Sequence, residues 1–145
     1  MSAGDGARAV YERLVTLGRA PAGEGALDGA THQATLTNPL CGDRVTVRLL
    51  VGGGVVRRAR FEARGCALAR ASAALLVEVA SGHSVADLPA LAGSIDLVVA
   101  ASPPADLGPL EPLRGAHQFP ARTTCVTLAW RALEAALAAG GGPRP

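Results

Sequence analysis

The sequence predicts an α+β fold in which an antiparallel sheet of about three strands carries helices on one face. Strand-like alternation is concentrated in the first half of the 145 residues, and Ala- and Leu-rich helical patterns fill the second half. This order of strands followed by helices is typical of α+β folds. A Gly-rich turn between two alternating segments adds a β-hairpin. The length suits a single domain over residues 1–145, with the Gly- and Pro-rich segment 140–145 expected to be a disordered tail.

The first half is expected to hold one helix and three strands. The segment DGARAVYERLVTLGRA predicts a helix, because Val10, Leu14 and Leu17 share one face. PAGEGALDG is typical of a loop, and ATHQATLT of a first strand. In DRVTVRLLV and VVRRARFEA, apolar and polar residues alternate, as in half-buried strands, with Phe61 on the apolar side and Arg60 on the polar side. The three glycines at 52–54 join these two strands into the hairpin.

The second half is expected to be mostly helical. ALARASAALLVEVASG predicts a helix that ends at Gly82. Ser84 and Asp87 are suited to start a further helix through VADLPALAGSIDLVVAA, which Pro89 limits or shortens. SPPADLGPLEPLRGAHQFPAR carries five prolines and predicts an ordered loop or short helical turns. TTCVTLAWRALEAALAA is the last predicted helix. Its apolar stripe consists of Val126, Trp130, Leu133 and Leu137.

The composition excludes several classes of function. With one Trp, one Tyr and two Phe, the chain lacks the stacking surface for single-stranded nucleic acid, and we expect no nucleic-acid partner. All 14 basic residues are arginines, which excludes a Schiff-base or P-loop lysine. We find no secretory signal and no apolar run of about 18 residues, so we expect a cytoplasmic protein without a membrane partner. Thiols stay reduced in the cytosol, and three cysteines do not form a complete disulfide framework.

The three cysteines lie where a metal site could be assembled. Cys41 lies in a turn beside Gly42 and Asp43, Cys66 opens a predicted helix, and Cys125 lies in the first turn of the last helix. Because a helix N-terminus favours thiolate over thiol, we expect the last two to ionise readily. Three thiolates and one carboxylate would make a tetrahedral zinc site. The alternative is that each cysteine is a small buried apolar residue.

Two other sets of residues have simpler interpretations. His32 lies in the predicted first strand, His83 follows a helix-ending glycine, and His117 lies in the Pro-rich segment. We expect each histidine to be solvated or to cap a helix rather than to bind metal, although a Cys/His catalytic pair remains an alternative. RRAR at 57–60 is most simply the solvent face of a strand, and docking of an acidic partner is the alternative.

Three blocks of the sequence resemble the signature blocks of the U-type iron–sulfur cluster assembly proteins, the family of IscU, SufU and the NifU N-terminal domain. The blocks are NPLCGDRVTVRLLV, FEARGCALARASAALL and FPARTTCVTLAWRALEAAL, and the resemblance covers nearly the whole chain. It implies that Cys41, Asp43, Cys66 and Cys125 are the metal ligands. It also implies the α+β fold of that family.

The chain resembles the SufU branch more than the IscU branch. Thr124 stands where IscU-type members carry a histidine, and Cys125 lies 59 positions after Cys66, similar to the SufU insertion. The family's usual Asn-Pro-x-Asn-x-Gly segment after the first helix is replaced here by GRAPAGEGALDG. The SufU likeness implies a zinc-binding, sulfurtransferase-like protein that accepts persulfide sulfur from a SufS-like cysteine desulfurase and passes it to downstream iron–sulfur assembly proteins.

Within that interpretation, Cys41 is the expected sulfur acceptor. It lies on a glycine-containing turn, whereas Cys66 and Cys125 are fixed at helix starts. Arg122 and Arg44 are placed to stabilise anionic sulfur, with ordinary surface arginines as the alternative. A competing hypothesis is a scaffold that assembles a transient [2Fe–2S] cluster on the same ligands. A third is a structural zinc module for protein binding, in which no cysteine would accept sulfur.

Overall fold

A computed structural model of the chain describes residues 3–19, 23–40, 42–100, 103 and 105–139. Cys41 and the predicted tail at 140–145 therefore lie outside the described residues. Three strands form one antiparallel sheet in the order β1-β2-β3. They are β1 (His32–Thr37), β2 (Arg44–Gly52) and β3 (Val55–Arg64). The predicted three-stranded sheet is confirmed.

The α-helices of the described residues pack on one face of this sheet. They are α1 (Ala3–Arg19), α2 (Ala67–Ala80), α3 (Leu88–Gly93), α4 (Ile95–Val98) and α5 (Thr123–Ala139). Helix α5 lies across β1 and β2, α2 lies against β3 and α5, and α1 packs on α2. The predicted α+β class is thus confirmed. In the described part of the chain, no helix combines the length and apolar character needed to cross a membrane.

The sheet has one apolar and one polar face, as the alternation predicts. On β2, Val45, Val47 and Leu49 are fully buried, and Phe61 of β3 is buried opposite Val47. The β2–β3 turn contains Gly53 and Gly54 with φ of +62° and +76°, a conformation that favours glycine at both positions. Side chains at alternate positions point away from the helices, so the other sheet face stays open.

A buried polar network holds together the two helices that carry Cys66 and Cys125. Ser72 of α2 donates a hydrogen bond from Oγ to the carbonyl oxygen of Val126 in α5, at 2.6 Å. The same Oγ accepts a hydrogen bond from Nε1 of Trp130 at 2.8 Å. Ser72 and Trp130 are fully buried. The network satisfies polar groups in the core and fixes α2 relative to α5.

The helix predicted over 85–101, which Pro89 is expected to limit or shorten, is not a single helix over the described residues 85–100. Ser84 starts it as expected, since its Oγ accepts a hydrogen bond from the backbone N–H of Ala86 at 3.3 Å. The chain then forms a 3₁₀ turn at Val85–Asp87 followed by α3 and α4. The break comes after Gly93, where Oγ of Ser94 donates to the carbonyl oxygen of Leu91 at 2.6 Å. From Gly108 onward, the Pro-rich segment forms a series of 3₁₀ turns, one of the two predicted forms. These turns are Gly108–Leu113, Ala116–Gln118 and Pro120–Arg122.

The segment predicted as a loop after α1 is partly paired with the sheet. The backbone N–H of Gly25 donates to the carbonyl of Phe61 at 2.8 Å, and the N–H of Phe61 donates to the carbonyl of Gly23 at 3.0 Å. This short parallel bridge covers the outer edge of β3. Arg70 of α2 fixes the segment by an ion pair with Glu24 at 2.8 Å. An otherwise open strand edge is thereby partly protected.

Candidate metal centre

Three of the four predicted ligands converge at one edge of the sheet. Asp43 directly precedes β2, Cys66 is the N-cap residue of α2, and Cys125 is the third residue of α5. The Sγ atoms of both cysteines and a carboxylate oxygen of Asp43 all lie within 4.8 Å of one another. Asp43 and Cys125 are buried, with 2% and 3% of their surface exposed, whereas Cys66 is half-buried. Metal binding by these residues stays a prediction.

The two neighbours of Cys41 are held by one residue, Asn38. Its Oδ1 accepts a hydrogen bond from the backbone N–H of Leu40 at 3.0 Å. Its carbonyl oxygen accepts one from the N–H of Gly42 at 2.8 Å. Gly42 has a φ of +77°, and the side chain of Leu40 is 91% exposed. The residues on either side of Cys41 are therefore anchored by Asn38, and the side chain of Leu40 is open to solvent.

Asn38 also links this turn to the start of α5. Its backbone N–H donates to the carbonyl of Asp43 at 2.7 Å, and its Nδ2 donates to Oγ1 of Thr124 at 3.0 Å. Thr124 immediately precedes Cys125. The contact between Asn38 and Thr124 is not predicted by the sequence patterns, although Asn before Pro39 is a common turn-forming signal. Only the fold shows that the Asn38 side chain reaches α5.

Asp43 is fitted closely to the first residues of α2. Its Oδ1 accepts a hydrogen bond from the backbone N–H of Cys66 at 3.1 Å, and Oδ2 accepts a long one from Sγ of Cys66 at 3.7 Å. The first of these satisfies a backbone donor at the helix N-terminus. Gly65 has a φ of +134°, and a Cβ atom there would overlap the carboxylate of Asp43. Gly65 is therefore required by the position of the carboxylate.

The protonation of Cys125 differs from the expectation. Burial, followed by hydrogen bonding with Asp43 and Cys66, raises the pKa of the Cys125 thiol well above its usual range. The expectation that its helix N-terminus makes it ionise readily is wrong in the metal-free protein, because desolvation and the neighbouring anionic groups outweigh the helix dipole. A metal cation beside the sulfur would stabilise its thiolate form.

Arg122 lies beside the cysteines, and its role in stabilising anionic sulfur stays a prediction. A hydrogen bond with the Cys66 side chain is the main cause that raises the pKa of the Arg122 guanidinium. Its side chain is exposed and stays fully charged. Arg44, also exposed, directly follows Asp43 at the start of β2. Positive charge therefore lies next to the site in the 3₁₀ turn before α5 and at the start of β2.

The three converging side chains suit a zinc ion. In a tetrahedral zinc site with Zn–S distances of about 2.3 Å, ligand atoms lie about 3.5–4 Å apart, so only a small contraction is needed here. Two sulfurs and one carboxylate oxygen leave one position for a fourth ligand. Cys41, two residues before Asp43, is the predicted one. Two thiols and an oxygen are ligand types for iron as well as for zinc.

The histidines lie apart from this group. Among the described residues, the only cluster of candidate metal ligands is Asp43, Cys66 and Cys125. His32 is 7% exposed on the inner face of β1, with Nδ1 2.8 Å from Oγ1 of Thr31. The expectation that His32 is solvated or caps a helix is therefore wrong. The strand alternation of His32 with Gln33 could have indicated its inward position.

Comparisons with known proteins identify relatives of the chain. The profile of the NifU-like N terminal domain family matches residues 11–107, which include Asp43 and Cys66 but end before Cys125. The chain is 33% identical over 106 residues to the zinc-dependent sulfurtransferase SufU of Bacillus subtilis, covering 71% of this chain and 72% of that protein. It is 35% identical over 116 residues to the iron-sulfur cluster assembly scaffold protein IscU of Thermotoga maritima, covering 78% and 81%.

Solved structures show the same fold. A putative iron-sulfur cluster assembly scaffold protein for the SUF system from Fervidobacterium islandicum superposes with a TM-score of 0.80 at 25% identity, covering 90% of this chain and 98% of that one. The NifU-like N-terminal protein of Brucella abortus superposes with a TM-score of 0.79 at 24% identity, covering 89% and 92%. The second likeness concerns the fold alone.

Proposed function

The chain belongs to the NifU-like N-terminal domain family, and on that premise we propose that it is a zinc-binding sulfur-transfer protein of iron–sulfur cluster assembly. The observation that carries the proposal is the convergence of Cys66, Cys125 and Asp43. The similarity to a zinc-dependent sulfurtransferase supports the choice of metal. The single domain over residues 1–145 is part of the same proposal.

Cys41, Asp43, Cys66 and Cys125 would hold the zinc ion. When bound, zinc supplies positive charge that keeps cysteine ligands deprotonated near neutral pH, and it does no redox chemistry. Burial of Cys125 and Asp43 excludes water from one side of the group. The hydrogen bond from the Cys66 backbone to Asp43 fixes the carboxylate in advance. The chain thus preorganises three of the four proposed ligands.

Sulfur transfer is proposed to occur at Cys41. The Cys41 thiolate attacks the outer sulfur of a persulfide on the donor protein, a new S–S bond forms, and the donor's own cysteine leaves as a thiolate. The transfer moves a sulfur atom between two cysteines and requires no external oxidant or reductant. Cys41 is favoured because its neighbour Leu40 is almost fully exposed, whereas Cys125 is buried. Arg122, beside Cys66, supplies positive charge near the resulting anionic sulfur.

The donor is proposed to be a SufS-like cysteine desulfurase, because it generates cysteine persulfide. Downstream iron–sulfur assembly proteins would receive the sulfur. A reducing compartment such as the cytosol suits this chemistry, since it keeps the thiols available for metal binding.

The second candidate function is a scaffold for a [2Fe–2S] cluster, carried as cargo on the same ligands. It is favoured by the similarity to the IscU scaffold protein of Thermotoga maritima, whose identity to this chain is as high as that of SufU. The buried Asp43 suits it as well, because a carboxylate is a hard ligand that iron accepts. A structural zinc module without sulfur chemistry is the third candidate.

Metal analysis of the purified protein, together with its visible absorption spectrum, tests the proposal. We expect about one zinc per chain and little absorbance in the visible range. A brown protein with stoichiometric iron and sulfide would instead support the scaffold function. Zinc-loaded protein that accepts no sulfur from any desulfurase would support the structural module.

A further inference from the structure

The sheet face opposite the helices is rich in arginine. Alternate residues of β2 and β3 point to this side. They include Arg44, Arg48, Arg58, Arg60, Arg64 and Glu62, here called the arginine face. No helix of the described residues packs on it, since α2 and α5 lie on the apolar side. With five arginines against one glutamate, the charge of this face exceeds the +2 of the whole chain.

Two pairs of arginines lie directly opposite each other on neighbouring strands. Arg44 pairs in register with Arg64, and Arg48 pairs with Arg60. Like charges in directly opposed cross-strand positions destabilise a sheet. Within the described part of the chain, the one ion pair on the face joins Arg48 and Glu62. The sheet therefore bears an electrostatic penalty that a bound anionic surface would relieve.

The arginine face is continuous with the candidate metal centre. Arg44 directly follows Asp43, and Arg64 precedes Cys66 by two residues. A groove of about 540 Å³ runs over this end of the sheet, lined by both arginines and Arg48, and also by Glu24 and Glu62 among others. A macromolecule resting in this groove would lie at the edge of the cysteines. The same docking event can thus bring a reactive group to them.

We propose that the arginine face docks a carboxylate-rich surface of the cysteine desulfurase that donates the sulfur. The inference rests on the proposed function, and both the carrier and the scaffold alternatives require this donor. Arginine binds carboxylates through two parallel hydrogen bonds, which suits an acidic protein surface. A polyanion such as RNA is a poorer match, because Glu62 lies among the arginines and the face carries no aromatic side chain.

Charge reversal at Arg58 and Arg64 tests the docking surface without touching the proposed ligands. The zinc-loaded Arg58→Glu/Arg64→Glu double variant is titrated with the cysteine desulfurase that donates sulfur to the wild type. The rate of sulfur transfer is measured at each desulfurase concentration. At low ionic strength, the desulfurase concentration for half-maximal transfer should rise on the order of tenfold or more. The rate at saturating desulfurase should stay close to that of the wild type. Added salt should shrink the difference, because it screens exposed charges.

Thermal unfolding separates docking from folding. In the double variant, Arg64→Glu replaces a like-charge pair with an attractive pair to Arg44, and residue 58 lies opposite the uncharged Leu50, so the Tm should equal or exceed that of the wild type. A variant that is at least as stable yet docks more weakly cannot owe the loss to misfolding. Arg8→Glu, an exposed charge reversal on α1 outside the sheet, is the matched control and should keep the half-maximal concentration.

Each outcome decides the assignment. If the double variant accepts sulfur normally and needs the same desulfurase concentration for half-maximal transfer, the proposed docking surface is wrong and the proposed function stands. An equal loss in Arg8→Glu would show a general charge effect and overturn the docking surface too. If the double variant loses binding to duplex RNA or phosphatidylserine vesicles but not to the desulfurase, the occupant is a polyanion. No sulfur transfer to the wild type would overturn the proposed function and the docking with it.

Discussion

Asp43 and Gly65 depend on each other at the scale of single residues. The Asp43 carboxylate fills the space where a side chain at Gly65 would begin. Gly65→Ala should therefore displace the carboxylate and weaken zinc binding at least tenfold, as removal of an orienting contact commonly does. Asp43→Ala deletes the ligand itself and should weaken binding at least as much while the sheet stays folded. Competition with a chromophoric zinc chelator measures both affinities.

Two controls sharpen this prediction. Gly82→Ala places alanine at a φ of +87°, where its Cβ would meet no atom within 4 Å. Like Gly65→Ala, it carries a backbone strain of about 1–3 kcal/mol, but it causes no overlap with another residue. It should keep the zinc affinity of the wild type. In the Asp43→Ala background, Gly65→Ala should cost little further affinity, because the overlapping carboxylate is gone and only the Cα of residue 43, 3.1 Å from the added Cβ, remains close. Additive losses would mean that Gly65 acts independently of Asp43.

The residue scale also shows what the sequence can predict about a site. The turn around Asp43 and the helix start at Cys66 follow from local patterns, and so does the position of Cys125 in the first turn of α5. The raised pKa of Cys125 does not follow from them, because it arises from burial and from Asp43 and Cys66 on other segments. The contact of Asn38 with Thr124 joins residues 86 positions apart and is likewise absent from local sequence.

At the scale of elements, the contact between Asn38 and Thr124 joins the turn around Cys41 to α5. Thr124→Val removes the hydroxyl that accepts the Asn38 hydrogen bond but keeps a branched side chain of similar size. Loss of this anchor should raise the rate of Cys41 alkylation in the zinc-loaded protein several-fold. Thr124→Ser keeps the hydroxyl and should restore the wild-type rate. Peptide mapping after brief iodoacetamide treatment measures the rate, and equal rates in all three proteins would contradict the anchoring role.

The Ser72 network should set the stability of the α2–α5 pair. Ser72→Ala leaves the buried N–H of Trp130 without its acceptor, which should cost about 1–3 kcal/mol of unfolding free energy. Trp130 is the single tryptophan of the chain, so its fluorescence during urea unfolding reports the loss. Ser81→Ala, at an exposed position just after α2, should stay within about 0.5 kcal/mol of the wild type. Equal stabilities of both variants would exclude a stabilising role for the network.

Helices and strands were predictable where apolar residues recur with a regular period over a long segment. The apolar stripe through Trp130 and Leu133 predicted α5 with its observed bounds, and the alternation predicted the hairpin. The segment after Ser84 was predicted as one helix because its apolar residues continue past Gly93. There the Ser94 hydroxyl donates a hydrogen bond to the carbonyl of Leu91 in the preceding turn, and the single helix ends. The next helix, α4, packs against α5 and the 3₁₀ turn at Gly108–Leu113 instead of continuing α3.

At the scale of the whole molecule, the candidate centre joins segments that are distant along the chain. Closing a metal site across them links the loop before β2 to the starts of α2 and α5. Structural zinc sites contribute on the order of 10 kcal/mol to folding in small domains. Since this chain also has a large apolar core, chelation should leave it folded but lower its Tm by more than about 10 °C. Equal Tm values for metal-free and zinc-loaded protein in calorimetry would show that zinc does not stabilise this fold and would contradict the proposed zinc site.

The fold divides the molecule into a helical layer and an open sheet face, with the candidate centre between them. This placement leaves the centre reachable for a partner protein that rests on the sheet. A sulfur carrier needs such access, because its cysteine must approach the donor's persulfide directly. A purely structural metal site has no such need, and the exposed Leu40 next to Cys41 would serve no purpose in it.

Mass-spectrometric mapping of the sulfur after brief reaction with a cysteine desulfurase and free cysteine tests the central claim most directly. We expect the zinc-loaded protein to gain one sulfur atom on Cys41, and Cys41→Ala to bind the desulfurase but gain none. Cys125→Ala should fail earlier, by losing zinc. Added sulfur on Cys125, or none on any cysteine while the desulfurase turns over, would contradict the assignment of this chain as a sulfur acceptor through Cys41.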